Sequence, residues 1–320
     1  MNPLHKSPAV AAPRPVCAVL LLVSFALTAA AQSAQPPGVM TLDVTVTDGE
    51  GRYVGGLTKE QFALTDGGTP REIKNLSFGG EPASVGVLFD ISASMRSGRR
   101  NKVEDTRRAF ARFVSSASPQ NEYFLWAFNK TVTRLTGWVR GEAELSQGLG
   151  KIAPAAMPTK GSGGTAVYDA LTAALEEVAG GSRRKRVLLI FTDGGSDNGA
   201  SRALFKTLKC KVRESEALIY SVATVERESP GALDPTGQAE LDELGAASGG
   251  RAYFPEVAEL NGIVDRIAFE LDKQYAISFE PANAAKKGEL NRLKIKLKPP
   301  PTFKGTLHVR AREGYVSAPG

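Results

Sequence analysis

Three short pieces of the chain carry groups that could do chemistry together. In "VGVLFDISASM", residues 85 to 95, an apolar run ends on Asp90, and hydroxyls follow at alternate positions, Ser92 and Ser94. In "KGSGGTAVYDAL" a glycine-rich loop ends on Thr165, and in "VLLIFTDGG" a second strand closes on Asp193 before Gly194 and Gly195. Asp90, Ser92, Ser94, Thr165 and Asp193 together offer two carboxylates and three hydroxyls, all hard oxygen donors. Such a set suits Mg²⁺, Mn²⁺ or Ca²⁺ and not zinc or copper. In D-x-S-x-S the chain leaves a strand and turns, so alternate side chains can point at one spot while Ile91 and Ala93 face the protein. An ion held by so few carboxylates stays under-neutralised, keeps water around it, and attracts an acidic group from outside.

These residues, far apart in sequence, meet only if the fold gathers strand ends. From Ser84 onward apolar strands alternate with amphipathic helices. The strands are "SVGVLFDI", "EYFLWAFN", the edge segment "TVTRLTGWV", "KRVLLIFTDG", "ALIYSVATV" and the short "RAYFPE". The helices are "KVEDTRRAFARFVSSA", a short one around "AELSQGLGKI", "AVYDALTAALEEVAG", "SRALFKTLKCKVRESE", "QAELDELGAASGG" and "AELNGIVDRIAFELDKQ". Uninterrupted runs such as "VLLIF" need cover on both faces, which predicts a doubly wound α/β domain with a mostly parallel sheet. In that architecture ligands bind outside the carboxyl ends of the strands where the winding reverses, and all three pieces fall there.

Both flanks read as β structure. "GVMTLDVTVTDGEGRYVGGL" alternates around a turn and predicts a hairpin, Thr58 can cap a short helical turn, and two strands flank "DGGTP". After Lys273 come "QYAISFEPA", "NRLKIKLKP" and "GTLHVRAREGYVSAP". Neither flank is long enough to bury a good core alone, so the two are expected to pair into one small β-sandwich-like module. The divisions expected are a leader over 1–31, an N-terminal β module over 32–82, the α/β domain over 83–272, and a C-terminal β segment over 273–320.

The leader is read from a basic start (Lys6, Arg14), an apolar run from Val16 to Leu27 and the small residues Ala29 to Ala31, the layout of a secretory signal peptide. Val16 to Ala31 falls short of the roughly 20 apolar residues of a spanning helix, so cleavage and export to the periplasm, envelope or medium are expected, with no integral membrane segment afterwards. Loss of Cys17 with the leader leaves Cys210 alone, which excludes an internal disulfide. At 320 residues, 42% hydrophobic and 23% charged, the composition is globular. The formal charge of +6 falls to +4 once Lys6 and Arg14 are removed. The basic run "RRKR", Arg183 to Arg186, has no interleaved aromatics and reads as a solvated loop; no nucleic-acid partner is expected.

"DISAS", the "GGT" of "SGGTAVYDAL" and the "TDG" of "FTDGG" together resemble the metal-ion-dependent adhesion site (MIDAS) of von Willebrand factor type A (VWFA) domains, over about residues 83 to 272. The resemblance implies that Asp90, Ser92 and Ser94 hold a divalent cation, magnesium before manganese or calcium. It implies that Thr165 binds the ion directly or through water, and that Asp193 holds a coordinated water. The implied partner is a protein that offers an acidic side chain. The flanking segments further resemble a group of exported, VWFA-related proteins typical of Acidobacteria, a likeness that implies architecture and export more than function.

Other chemistry is less well served. The glycines of "KGSGGT" are not followed by the Lys-Ser or Lys-Thr pair of a phosphate loop. Ser92 stands where an aspartyl phosphotransferase would need a second acid. His308, the only histidine beyond the leader, falls on a predicted strand of the far module, which disfavours a Ser-His-Asp arrangement. The reading is therefore of a binding module and not an enzyme. An envelope scaffold with a stabilising metal is the alternative, and a metal-assisted hydrolase ranks below both. The oligomeric state is not legible.

Overall fold

A computed structural model describes residues 38–96, 101–152, 167–194, 202–225, 235–281, 289–301 and 303–316; the leader falls outside them. The chain runs through β1 (Met40–Asp48), a 3-10 turn at Lys59–Gln61, β2 (Phe62–Asp66), β3 (Thr69–Arg71) and β4 (Ile73–Phe78). The α/β region follows with β5 (Ala83–Asp90), α1 (Ala93–Arg96), α2 (Lys102–Ser116), β6 (Glu122–Phe128), β7 (Val132–Arg134), α3 (Glu142–Gly150) and α4 (Val167–Ala179). It continues through β8 (Lys185–Thr192), α5 (Arg202–Glu214), β9 (Leu218–Ala223), α6 (Pro235–Ser248), β10 (Arg251–Tyr253) and α7 (Leu260–Asp272). Four strands close the chain: β11 (Tyr275–Phe279), β12 (Leu290–Leu297), β13 (Leu307–Arg310) and β14 (Gly314–Val316).

The central sheet has the order β10-β9-β8-β5-β6-β7, parallel throughout except for the antiparallel edge strand β7. Every residue of β5 and β6 is buried, as strands covered on both faces require. Alternation divides them: Val85, Val87 and Phe89 pack with α2 and α7 on one face, and Leu88 with Phe124, Trp126 and helices α4 to α6 on the other. Gly86 is small for a packing reason, since a Cβ there would come within 2.2 Å of the Phe124 ring. The observed architecture is the doubly wound one expected, with flanking antiparallel sheets.

The flanks build two four-stranded antiparallel sheets, β13-β1-β11-β4 and β14-β12-β2-β3. Between them lies a core of Leu42, Val44, Val46, Phe62, Leu64, Tyr275, Ile277, Phe279 and Ile295. The chain enters the α/β region after β4 and leaves it into β11, and these strands pair, with Phe78 opposite Tyr275. Of the hairpin expected over residues 38–57 the part next to the turn forms: Val54 N–H donates to the Val46 carbonyl, Asp48 N–H donates to the Arg52 carbonyl, and Thr47 bridges Tyr53. β1 also pairs with β11 over Met40–Val44 and with β13 over Thr45–Asp48. Burying β1 against these distant apolar strands adds to the turn signal of "DGEG" and does not replace it.

Buried polar contacts join the two parts. Glu270 of α7, 1% exposed, accepts hydrogen bonds from Tyr220 of β9, Thr45 of β1 and Tyr53, and it pairs with Arg310 of β13. The run "RRKR" is part of the same junction and is not a solvated loop. Arg184 pairs with Asp43 and Glu81, Lys185 donates to the Leu271 carbonyl at 2.7 Å, Arg186 pairs with Glu216, and Arg183 donates to the Gln120 carbonyl. Burial alone would raise the Asp43 carboxyl, but the charges of Arg184 and Lys185 outweigh it and hold the group below the usual range. At the end of the sheet where β5, β6 and β8 begin, Glu122 accepts from Ser84, from Ser182 and from Arg140.

Candidate functional site

The site lies at the opposite end of those strands. β5 is the first strand of the α/β region and has β6 on one side and β8 on the other, so the winding reverses at β5 and opens the sheet beyond Asp90. Asp90 is the last residue of β5 and is 1% exposed. Its Oδ1 accepts the backbone N–H of Ser92 at 2.9 Å, and its Oδ2 accepts the Thr192 hydroxyl at 2.8 Å. Because β5 and β8 run parallel in register, Phe89 opposite Phe191, the ends of the two strands come side by side without any special loop.

Packing fixes the turn after Asp90. Ile91 donates its N–H to the Phe128 carbonyl of β6 and packs against the core, and Met95 is fully buried in it. Pinned on both sides, the turn brings the hydroxyls of Ser92 and Ser94 to 3.0 Å from each other. Ser92 is buried and Ser94 is exposed, so the pair runs from the protein interior to solvent.

Asp193 follows β8 directly, with its side chain 10% exposed. Gly194 then takes φ +74°, a conformation L side chains rarely adopt, and its N–H donates to Thr192 Oγ1 at 3.2 Å. The glycine lets the chain turn away immediately and leaves Asp193 at the mouth of the site. Burial, and after it the charge of Asp193, push the Asp90 carboxyl up to about 6, against hydrogen bonds from Ser92 and Thr192 that pull it down. The two acids thus sense each other in a desolvated spot.

Of the five residues expected from the sequence, the structure brings Asp90, Ser92, Ser94 and Asp193 to the end of β5 and β8. Thr165 lies outside the described residues. Two further participants were not anticipated. Thr192, 1% exposed, holds Asp90 Oδ2, and the adjacent "TD" of "FTDG" is the signal that could have shown it. Lys102, the first residue of α2 and 9% exposed, places Nζ 3.5 Å from Asp193 Oδ2. Nothing in the spacing of "GRRNKVEDT" separates Lys102 from the neighbouring basic residues.

The donor set described is oxygen only: two carboxylates, two serine hydroxyls and a threonine that orients one acid. Such donors fit a hard divalent cation and have no soft ligand among them. The mutual repulsion felt at Asp90 is the electrostatic condition that a cation relieves. Among the described residues no helix is long and apolar enough to cross a membrane.

Residues 85–196, a span that includes both acids, match the sequence profile of the von Willebrand factor type A domain. Among solved structures, von Willebrand factor type A from Catenulispora acidiphila aligns with 88% of this chain and 75% of its own length, at 11% identity and a TM-score of 0.51. The von Willebrand factor domain of the type V pili tip protein from Porphyromonas gingivalis aligns with 59% of this chain and 94% of its own, at 12% identity and a TM-score of 0.47. Proximal thread matrix protein 1 from the mussel byssus, in a form with a zinc-occupied MIDAS motif, aligns with 61% of this chain and 49% of its own, at 14% identity and a TM-score of 0.45. Curated proteins give no sequence match. The Catenulispora likeness extends over most of the chain and, at that identity, shows the fold alone: the α/β region has the von Willebrand factor type A architecture.

Proposed function

We propose that this protein is an exported binding module whose von Willebrand factor type A region holds a divalent cation and through it captures an acidic group on a protein partner. The observation that carries the reading is the junction of β5 and β8, where a buried Asp90 held by Thr192 and the Ser92 backbone stands with Asp193 and the Ser92–Ser94 hydroxyl pair. Asp90, Ser92 and Ser94 would hold the ion, Thr165 would join them or act through water, and Asp193 would orient a water. Magnesium fits these hard oxygens first, with manganese and calcium next. Once bound, the cation supplies a positive charge that its few carboxylates leave under-neutralised, open to an outside carboxylate.

The residues themselves do the rest. Thr192 and the Ser92 N–H fix the orientation of Asp90, and the buried Met95 holds the serine turn in place before any ligand arrives. The reading is of binding and not catalysis, and His308, exposed on β13, is on a different sheet from this site. Export rests on the leader-like residues 1–31.

The test is Asp90→Asn. The amide keeps a hydrogen-bonding group of the same shape against Thr192 and Ser92 and removes the charge. The expected result is unchanged circular dichroism, loss of magnesium uptake in calorimetry, and loss of magnesium-dependent partner capture from an envelope extract. Capture by the variant equal to that of the wild type, or equal capture in chelator, overturns the reading. If chelator lowers thermal stability and leaves capture intact, the ion is a structural staple and the scaffold alternative stands.

A further inference from the structure

The alternation of β12 sorts its residues by chemistry. Leu293, Ile295 and Leu297 point into the sandwich core, and Arg292, Lys294, Lys296 and Lys298 are all exposed on the other face. Lys298 prolongs the row one residue past the strand, with its N–H bonded to the Gln61 carbonyl. At about 3.3 Å per residue the four cations form a row roughly 20 Å long. β12 pairs with β2 from Leu293 to Leu297 and with β14 from Leu290 to Arg292, so Arg292 lies beside β14 while Lys294 and Lys296 lie beside β2 alone.

The positions beside the row are neutral. Register places Gly314 next to Arg292, Thr65 and then Pro70 next to Lys294, and Ala63 next to Lys296. Leu290 and Val316 pair at one end of the face, and Pro299 is exposed beyond the other. Among the described residues no carboxylate stands at the strand positions paired with the row, the exposed Glu72 one residue past β3 pairs with Lys74, and no ion pair or hydrogen bond engages the four cationic groups. Several other surface cations are paired: Lys209 with Glu243, Lys211 with Glu176, Arg112 with Asp265. An unpaired row of one sign on a sheet is the exception in this molecule.

From this we infer that the outer face of the β14-β12-β2-β3 sheet is a docking surface for an anionic phospholipid bilayer. Charge complementarity gives the sign of the partner, and the shape gives its class. The cations lie along an open sheet and not in a groove, so they suit a planar array of phosphates. Among the described residues of these four strands no aromatic side chain lies on the outer face to stack on a base, as single-stranded nucleic acids require. The apolar pair Leu290–Val316 and Pro299 flank the charges where a headgroup layer would meet them. Contact of this kind is peripheral and weakens with salt. It uses the sandwich and leaves the β5–β8 site to its own ligand, so the inference stands independently of the proposed function.

The experiment is co-sedimentation with vesicles of phosphatidylcholine, with and without phosphatidylglycerol, at low and physiological salt. The protein used is the mature chain, as wild type, as Lys294→Gln/Lys296→Gln, and as the control Lys130→Gln/Lys206→Gln. The control pair is also exposed, loses the same net charge and lies off the face. Each basic residue near an anionic surface is worth about five-fold in partition, so the test pair should bind the anionic vesicles roughly 30-fold more weakly than wild type. The control should change by only a few-fold, and thermal melting should confirm that all three are folded. Failure of the wild type to bind at low salt, equal loss in the control pair, or retention on DNA or an acidic polysaccharide without vesicle binding each overturns the assignment.

Discussion

Replacing Lys102 by methionine tests the electrostatics of the site without touching any residue expected to hold the ion. The ammonium and the Asp193 carboxylate are 3.5 Å apart, with side chains only 11% and 10% exposed. At the effective dielectric of about 20 that suits such groups, the pair is worth about 4–5 kcal/mol, and desolvation of the lysine returns part of that. A net loss of about 2–3 kcal/mol is expected in chelator, because Asp90 and Asp193 are then left together without a compensating charge. For a chain of this size that is a fall in melting temperature on the order of 5 °C. Magnesium should close the gap, since a cation replaces the missing charge, and calorimetry should show tighter uptake by Lys102→Met than by wild type. Lys209→Met, which breaks the exposed pair with Glu243, should cost no more than about 0.5 kcal/mol with or without magnesium. If Lys102→Met melts with wild type in chelator, or if magnesium stabilises the two equally, Lys102 is not the resident counter-charge and the electrostatic account of the site fails.

Two further outcomes follow from groups far from the site. Burial would raise the Glu122 carboxyl, but the hydrogen bonds from Ser182, Ser84 and Arg140 outweigh it and bring it down to about 2 from 4.5. Its contribution of about 3 kcal/mol is therefore present above pH ~4.5 and lost as the pH falls from there toward ~2, and urea melts of Glu122→Gln should show a shallower loss across that window. Arg310→Met removes donors to the carbonyls of Gly249 and Gly250, at 2.6 and 2.7 Å, and leaves Glu270 buried with only hydroxyl partners. A loss of about 3–5 kcal/mol in urea unfolding is expected, and a loss below ~1 kcal/mol would show that the Glu270 cluster does not hold the β-sandwich to the α/β region.

How much of this was readable beforehand depended on the range of the interaction concerned. The strands and helices of the α/β region are legible because their signals are local: "VLLIF" has no polar face to leave in water, and "TRRAFARF" repeats its apolar residues at helical spacing. The hairpin at "DGEG" was legible only in the part next to its turn. The rest of β1 is set by β11 and β13, strands more than 200 residues away that no local pattern can announce. The basic run at 183–186 was misread for the same reason of range. Four adjacent cations look solvated until the folded chain supplies Asp43, Glu81, Glu216 and two carbonyls from distant segments.

The site divides along the same line, and the division says how the molecule is built. Asp90, Ser92, Ser94 and Asp193 were legible because their types and spacing are chemistry in themselves, and a parallel β5–β8 pair in register then brings both acids to one end with no further requirement. Thr192 and Lys102 were not, because each acts only through a partner fixed by tertiary packing. The fold adds orientation and charge compensation to donors that the sequence already names. An oxygen cluster whose geometry is set by buried neighbours, Ile91 and Met95 on one strand end and Thr192 on the other, is organised before its ligand arrives, which lowers the cost of ordering on binding. The resident ammonium opposes that gain by offering Asp193 a cation of its own. Under the proposed reading, affinity for the ion is the difference between these two effects, and the comparison of Lys102→Met with wild type measures the second of them.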